Sequence, residues 1–136
     1  MSLKIRHIGI IVNDLANARY FYKDLLGFEE VSSKIEKNDE ILQKVVGLNP
    51  YDIEWVKLKC DSKTLLELIK FNDPNFKPNS GMQHIAITVN NIQRVYETLK
   101  KADVKFASEP LKKGSVKLVF CRDFEGNLCE ICEDVK

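Results

Sequence analysis

Two stretches of the chain, HIGIIVNDL from His7 and HIAITVNNI from His84, repeat one pattern 77 positions apart. They carry the only two histidines of the sequence, each at the head of the pattern. A repeat of this kind calls for two half-domains sharing one core, which fits 136 residues, a length suited to one compact domain. Each half opens on a strand headed by a histidine. The strand is followed by an asparagine and then a helix.

Residues 4–12 are short, β-branched and apolar, which predicts a buried strand. Asn13-Asp14 supplies an N-cap for a helix through LANARYFYKDLLG, where Leu15, Ala18, Phe21, Tyr22 and Leu25 form the sheet-facing stripe and Gly27 ends it. A strand near Phe28–Ile35 follows, then a short helix in EILQKVVG ending at Gly47. IEWVKLKC and TLLELIKF read as two strands around a turn at Asp61-Ser62-Lys63. The segment FNDPNFKPNSG, with two prolines, three asparagines and a glycine, is the linker. The order then restarts: strand MQHIAITV, helix NIQRVYETLKKA, a short strand near Val104–Ala107, then SVKLVFC and NLCEICE. The expected organisation is one domain over 1–136, with a first module at 4–71, a linker at 72–81 and a second module at 82–133.

The repeat extends to the far end of each half. LLELI (65–69) and LCEIC (128–132) each centre a glutamate among apolar neighbours in the last strand. Alternation puts His7 on a face with Ile5, Gly9 and Ile11, while Ile8, Ile10 and Val12 turn toward the helix. His84 likewise shares its face with Met82, Ala86 and Thr88, and each histidine has a very small residue two positions on. Glu67 and Glu130 are flanked by Leu66/Leu68 and Cys129/Ile131 on the opposite face.

A carboxylate buried among leucines costs several kcal/mol unless a charge compensates it. A single strand histidine is most often a structural residue, and a glutamate between leucines fits a half-exposed sheet. Four such residues at repeat-equivalent places favour a shared metal site instead. Two nitrogen and two oxygen donors, from His7, Glu67, His84 and Glu130, suit Zn²⁺, Ni²⁺, Co²⁺, Mn²⁺ or Fe²⁺.

Charge excludes other classes. Lys plus Arg number 21 against 20 acids, a net charge of +1, so no field of one sign is ready for nucleic acid or anionic lipid. No apolar run approaches the ~18 residues of a spanning helix, and a signal-peptide core is lacking. Cys60, Cys121, Cys129 and Cys132 include one C-x-x-C but no second, and in a strand its two cysteines point to opposite faces. Reduced, inert thiols and a cytoplasmic location are expected.

The chain resembles the vicinal oxygen chelate superfamily, the glyoxalase I, bleomycin-resistance and dioxygenase fold. HIGIIVNDL with ARYFYKDLLGFE is similar to that family's first strand and FY-x-x-x-LGF helix, GMQHIAITVNNI to the opening of its second module, and RDFEGNLCEICE to its D-x-x-G-N-x-x-E ending. In the last motif Gly126-Asn127 makes the turn that aims the final strand. The resemblance implies an α+β fold in which two βαβββ modules form a cupped, barrel-like mixed sheet with helices outside. It puts His7, Glu67, His84 and Glu130 at the family's ligand positions. It further implies a small-molecule substrate with adjacent oxygens, and Glu130 or Glu67 as the base beside a metal acting as Lewis acid.

The complete His-Glu-His-Glu set most resembles glyoxalase I (lactoylglutathione lyase), with methylmalonyl-CoA epimerase close behind. A small-molecule binding or resistance protein without turnover is the alternative from another class. The chain has no third histidine, unlike extradiol dioxygenases of this fold. Ile11 stands where glyoxalase I enzymes carry an arginine for a glutathione carboxylate, and Phe71, next to Asn72, stands where they often have asparagine. Both departures argue against glutathione. Trp55, Phe71 and Phe120 are candidates to line an apolar pocket, and Lys112 and Lys113 to meet a CoA substrate. A homodimer is expected from the resemblance, since such modules pair within one chain or between two.

Overall fold

A computed structural model describes residues 7–38, 52–61, 63–72 and 84–135. The chain divides into two compact units, Met1–Pro78 and Asn79–Lys136, and each builds its own sheet. The first module contains β1 (His7–Ile11), α1 (Leu15–Arg19), β2 (Glu29–Glu36), β3 (Ile53–Lys59) and β4 (Leu65–Phe71). The second contains β5 (His84–Thr88), α2 (Ile92–Lys101), β6 (Lys105–Phe106), β7 (Leu111–Lys113), β8 (Val116–Arg122) and β9 (Leu128–Asp134). The architecture is α+β with two mixed sheets of four and five strands, ordered β1-β4-β3-β2 and β5-β9-β8-β6, with β7 beside β8. No helix among the described residues is long and apolar enough to cross a membrane.

The start of each helix follows from its cap. Asp14 accepts from the backbone N–H of Asn17 at 3.0 Å, and Asn91 from that of Arg94 at 3.1 Å, satisfying donors that the first turn leaves without partners. After Arg19 the first helix widens into a π-helical segment, Tyr20–Leu25, which the apolar spacing did not announce. Phe21 and Tyr22 stay fully buried through it. The looser winding turns Leu25 partly off the stripe, and Gly27, at φ +86°, ends the segment.

α1 packs on β4, and α2 on β9. Val56, Leu58, Leu66 and Leu68 form the helix-facing layer of the first module, and Ile85, Val119, Cys121, Cys129 and Ile131 that of the second. One residue departs from the alternation: Ile8, expected to face the helix, is 40% exposed. β1 ends the strand order of its sheet, and α1 packs on its neighbour β4.

Strands at Ile53–Lys59 and Leu65–Phe71 meet the expectation for the first hairpin. β7 was not foreseen, because LKK, three exposed residues, has no apolar alternation to betray a strand. The short helix expected in EILQKVVG and the linker after Asn72 lie outside the described residues.

Candidate functional site

In both modules the first strand pairs in parallel with the last, in the same register. Gly9 lies opposite Glu67, and Ala86 opposite Glu130. His7 and His84 each sit two residues earlier on the same face, diagonal to the carboxylate. Each imidazole reaches across, past a very small residue, toward the carboxylate. His7 Nε2 lies 3.3 Å from Glu67 Oε2, and His84 Nε2 lies 3.3 Å from Glu130 Oε2.

The four predicted residues are thus brought together as two equivalent pairs, one in each module. Among the described residues no group of three or more His, Cys, Asp or Glu side chains assembles as a metal site. Burial is also matched: the histidine side chains are each 33% exposed, Glu67 13% and Glu130 20%. These carboxylates are largely withdrawn from water, and Leu66/Leu68 and Cys129/Ile131 are buried on the other face as alternation requires.

The donor pairs suit a divalent ion. With metal–ligand distances of about 2.1 Å, adjacent donors stand ~3.0 Å apart on an octahedron and ~3.4 Å apart on a tetrahedron. The observed 3.3 Å falls within that interval in both modules. His7 Nδ1 is buried and has no hydrogen-bond partner among the described residues, which leaves the ring incompletely satisfied as it stands.

The hairpin that carries Glu130 is built on Asp123. Its Oδ1 accepts from the backbone N–H groups of Glu125 and Asn127, both at 2.9 Å, and Oδ2 accepts from Asn127 Nδ2 at 2.8 Å. Gly126 turns at φ +88°, the left-handed region that favours glycine. The D-x-x-G-N motif therefore works mainly through its aspartate, a hub that the sequence showed only as the motif's first letter.

Two neighbours of the pairs carry chemistry that sequence reasoning passed over. Cys132 donates from Sγ to Glu130 Oε1 at 3.4 Å, so this carboxylate is held at both oxygens. Burial, reinforced by Glu130, pushes the Cys132 thiol up to about 11. Cys129, on the opposite face, is raised by the adjoining Cys121 thiol and by burial. All four cysteines are free thiols, as expected. The second neighbour is Lys57, directly opposite Glu67 on β3, with its ammonium 5.1 Å from the centroid of the Trp55 ring. Superposing the two hairpins in sequence on their glutamates would have aligned Lys57 with Phe120 and exposed the contrast.

The aromatic candidates share the faces of the histidine–glutamate pairs. Trp55 pairs with Ile69, two residues after Glu67, and Phe71 is a further two along. Phe120 pairs with Glu130 and stands edge-on to His84, ring centroids 5.4 Å apart. Of the two candidate lysines, Lys113 pairs with Val116 and shares the face of Phe120 and Glu130, whereas Lys112 is opposite Lys117 on the other face.

The family model described as Glyoxalase/Bleomycin resistance protein/Dioxygenase superfamily matches residues 4–131. The chain is 28% identical to the mitochondrial methylmalonyl-CoA epimerase of Bos taurus over 82% of its own length, and spans 61% of that enzyme. A glyoxalase family protein from Bacillus cereus superposes with a TM-score of 0.88 at 22% identity, covering 100% of this chain and 97% of the other. The trypanothione-dependent glyoxalase I of Leishmania major superposes with a TM-score of 0.73 at 25% identity, covering 97% and 87%.

Proposed function

Since the chain belongs to the glyoxalase/bleomycin resistance protein/dioxygenase superfamily, we propose that its two histidine–glutamate pairs hold one divalent metal ion between them. The protein is then a glyoxalase I-like lyase or isomerase that moves a proton next to a chelated carbonyl. The observation that carries this reading is the duplicate geometry, an imidazole nitrogen 3.3 Å from a carboxylate oxygen at the same register position of both modules. The family supplies the expectation that the pairs meet.

When bound, a zinc, nickel, cobalt, manganese or iron(II) ion supplies Lewis acidity that lowers the cost of negative charge on the substrate's adjacent oxygens. The chain's own residues do the rest. His7 and His84 hold the ion as neutral imidazoles. Glu130 takes the proton from the carbon next to the carbonyl and returns it to the neighbouring atom, and the Cys132 thiol at its other oxygen restrains the carboxylate between the two events. Glu67 is the second carboxylate of the proposed set and the other candidate base.

That second base matters for the alternative reading, an epimerase of an acyl-CoA thioester, which similarity to methylmalonyl-CoA epimerase favours. Epimerisation needs removal of a proton on one face and its return on the other. Ile11, at the end of β1 on the face of His7 and Gly9, gives a glutathione carboxylate no cation there, so glutathione is not the proposed thiol. The free thiols fit a cytoplasmic protein, and a homodimer belongs to the same proposal.

Deuterium wash-in from D₂O, followed by NMR on hemithioacetals of 2-oxoaldehydes and on branched malonyl thioesters, tests the reading. Glu130→Gln in the metal-loaded protein should slow exchange by roughly 100-fold or more, the usual range for loss of a general base. Exchange indifferent to Glu130→Gln, or tight small-molecule binding by metal-free protein without any exchange, would favour the sequestering alternative.

A further inference from the structure

The two modules agree at the histidine, at the small residue and at the glutamate, and they part company at the residue opposite the glutamate. In the second module that residue is Phe120, an apolar ring packed against His84. In the first it is Lys57. Directly opposed residues of an antiparallel pair share a face, so Lys57 stands on the face of Glu67 and His7. A lysine across from a carboxylate ordinarily makes a cross-strand ion pair. Here Glu67 is engaged by His7, and the Lys57 ammonium lies over Trp55 instead. Among the described residues Lys57 has no carboxylate partner.

Resting on a ring has a consequence for chemistry. The attraction is between the charge and the π-face, so it steadies the ammonium without committing all three N–H donors to protein acceptors. The lysine is thus a restrained cation with donors to spare, beside a candidate metal-ligand pair, in one module only.

We propose that Lys57 is a specificity-determining residue that binds a carboxylate carried by the substrate beyond its chelating oxygens. The substrate class is accordingly an oxo compound or thioester with an anionic tail rather than a neutral dicarbonyl. This inference rests on the metal-chelate reading above.

A matched pair of chelators separates the two ideas. Acetohydroxamate presents adjacent oxygens and no tail, and succinohydroxamate presents the same oxygens with a carboxylate. Calorimetric titration of the zinc-loaded protein should show the tailed probe binding roughly tenfold more tightly, the order expected of a charge-assisted contact. Lys57→Met should remove that preference while leaving zinc content and acetohydroxamate affinity unchanged, and Lys57→Arg should restore much of it. Equal preference in Lys57→Met and wild type would overturn the proposal and leave the metal site standing. A proportional loss for both probes would also overturn it, assigning Lys57 to charge balance at Glu67. Wild-type protein that takes up no zinc and binds neither probe would sink the metal reading and this inference together.

Discussion

Gly9 lies across the β1–β4 pair from Glu67, between the two members of the His7–Glu67 pair on one face. A Cβ built on Gly9 comes 3.3 Å from Ile69 Cδ1, a tight contact with the far end of a flexible side chain. The second module tolerates alanine at the matching position, where Ala86 faces Glu130. Gly9→Ala should therefore fold with a cost under about 1 kcal/mol and retain metal. Gly9→Leu should lower metal affinity by roughly tenfold or more, an effect of the size seen when the surroundings of a ligand are disturbed. Urea denaturation and metal titration on the two variants check this; equal metal affinity in both would show that the space beside Glu67 is not limiting. The alternation of β1 and β4 made His7, Gly9 and Glu67 legible in the sequence as one face. Lys57 becomes legible only when the two hairpins are aligned on their glutamates, because its importance lies in a cross-strand register rather than in a local pattern.

At the level of the element, the turns decide where the two carboxylate-bearing strands begin. Asp61, between β3 and β4, accepts the backbone N–H of Lys63 at 2.7 Å and that of Thr64 at 2.8 Å. These bonds, helped by the Lys63 charge, hold its carboxyl below its ordinary value of 3.8. A carboxyl depressed in the folded state stabilises fully above its unfolded pKa and loses that contribution as pH falls through the folded one. Asp61→Ala should therefore melt below wild type at pH 7, with the gap closing as the pH drops beneath the carboxylate range. A gap constant from pH 7 to pH 2 would assign the aspartate a role independent of its charge. The turn itself was readable from Asp61-Ser62-Lys63, as was the cap of the first helix at Asn13-Asp14, because short polar side chains at element ends have local partners. The π-helical segment at Tyr20–Leu25 and the strand β7 were not readable. β7 pairs with the adjacent β8 through three exposed residues that carry no apolar alternation, and the apolar spacing of Tyr20–Leu25 does not distinguish a π-helical turn from an α-helical one.

At the scale of the whole molecule, the duplicated strand-helix-strand order and the doubled His–Glu pattern were visible in the sequence as two similar stretches. The structure adds that the likeness is metric, with the same parallel register and the same 3.3 Å separation in each half. The proposed function takes the two pairs as one four-ligand set and requires that one ion use both. Metal content measured on wild type, His7→Ala and His84→Ala tests this most directly. The account predicts about one divalent ion per chain in wild type and near-complete loss in either variant, because each removes a ligand from the same ion. Two ions per chain with each variant keeping one would contradict it, and so would wild-type protein that binds none after incubation with Zn²⁺, Ni²⁺ or Mn²⁺.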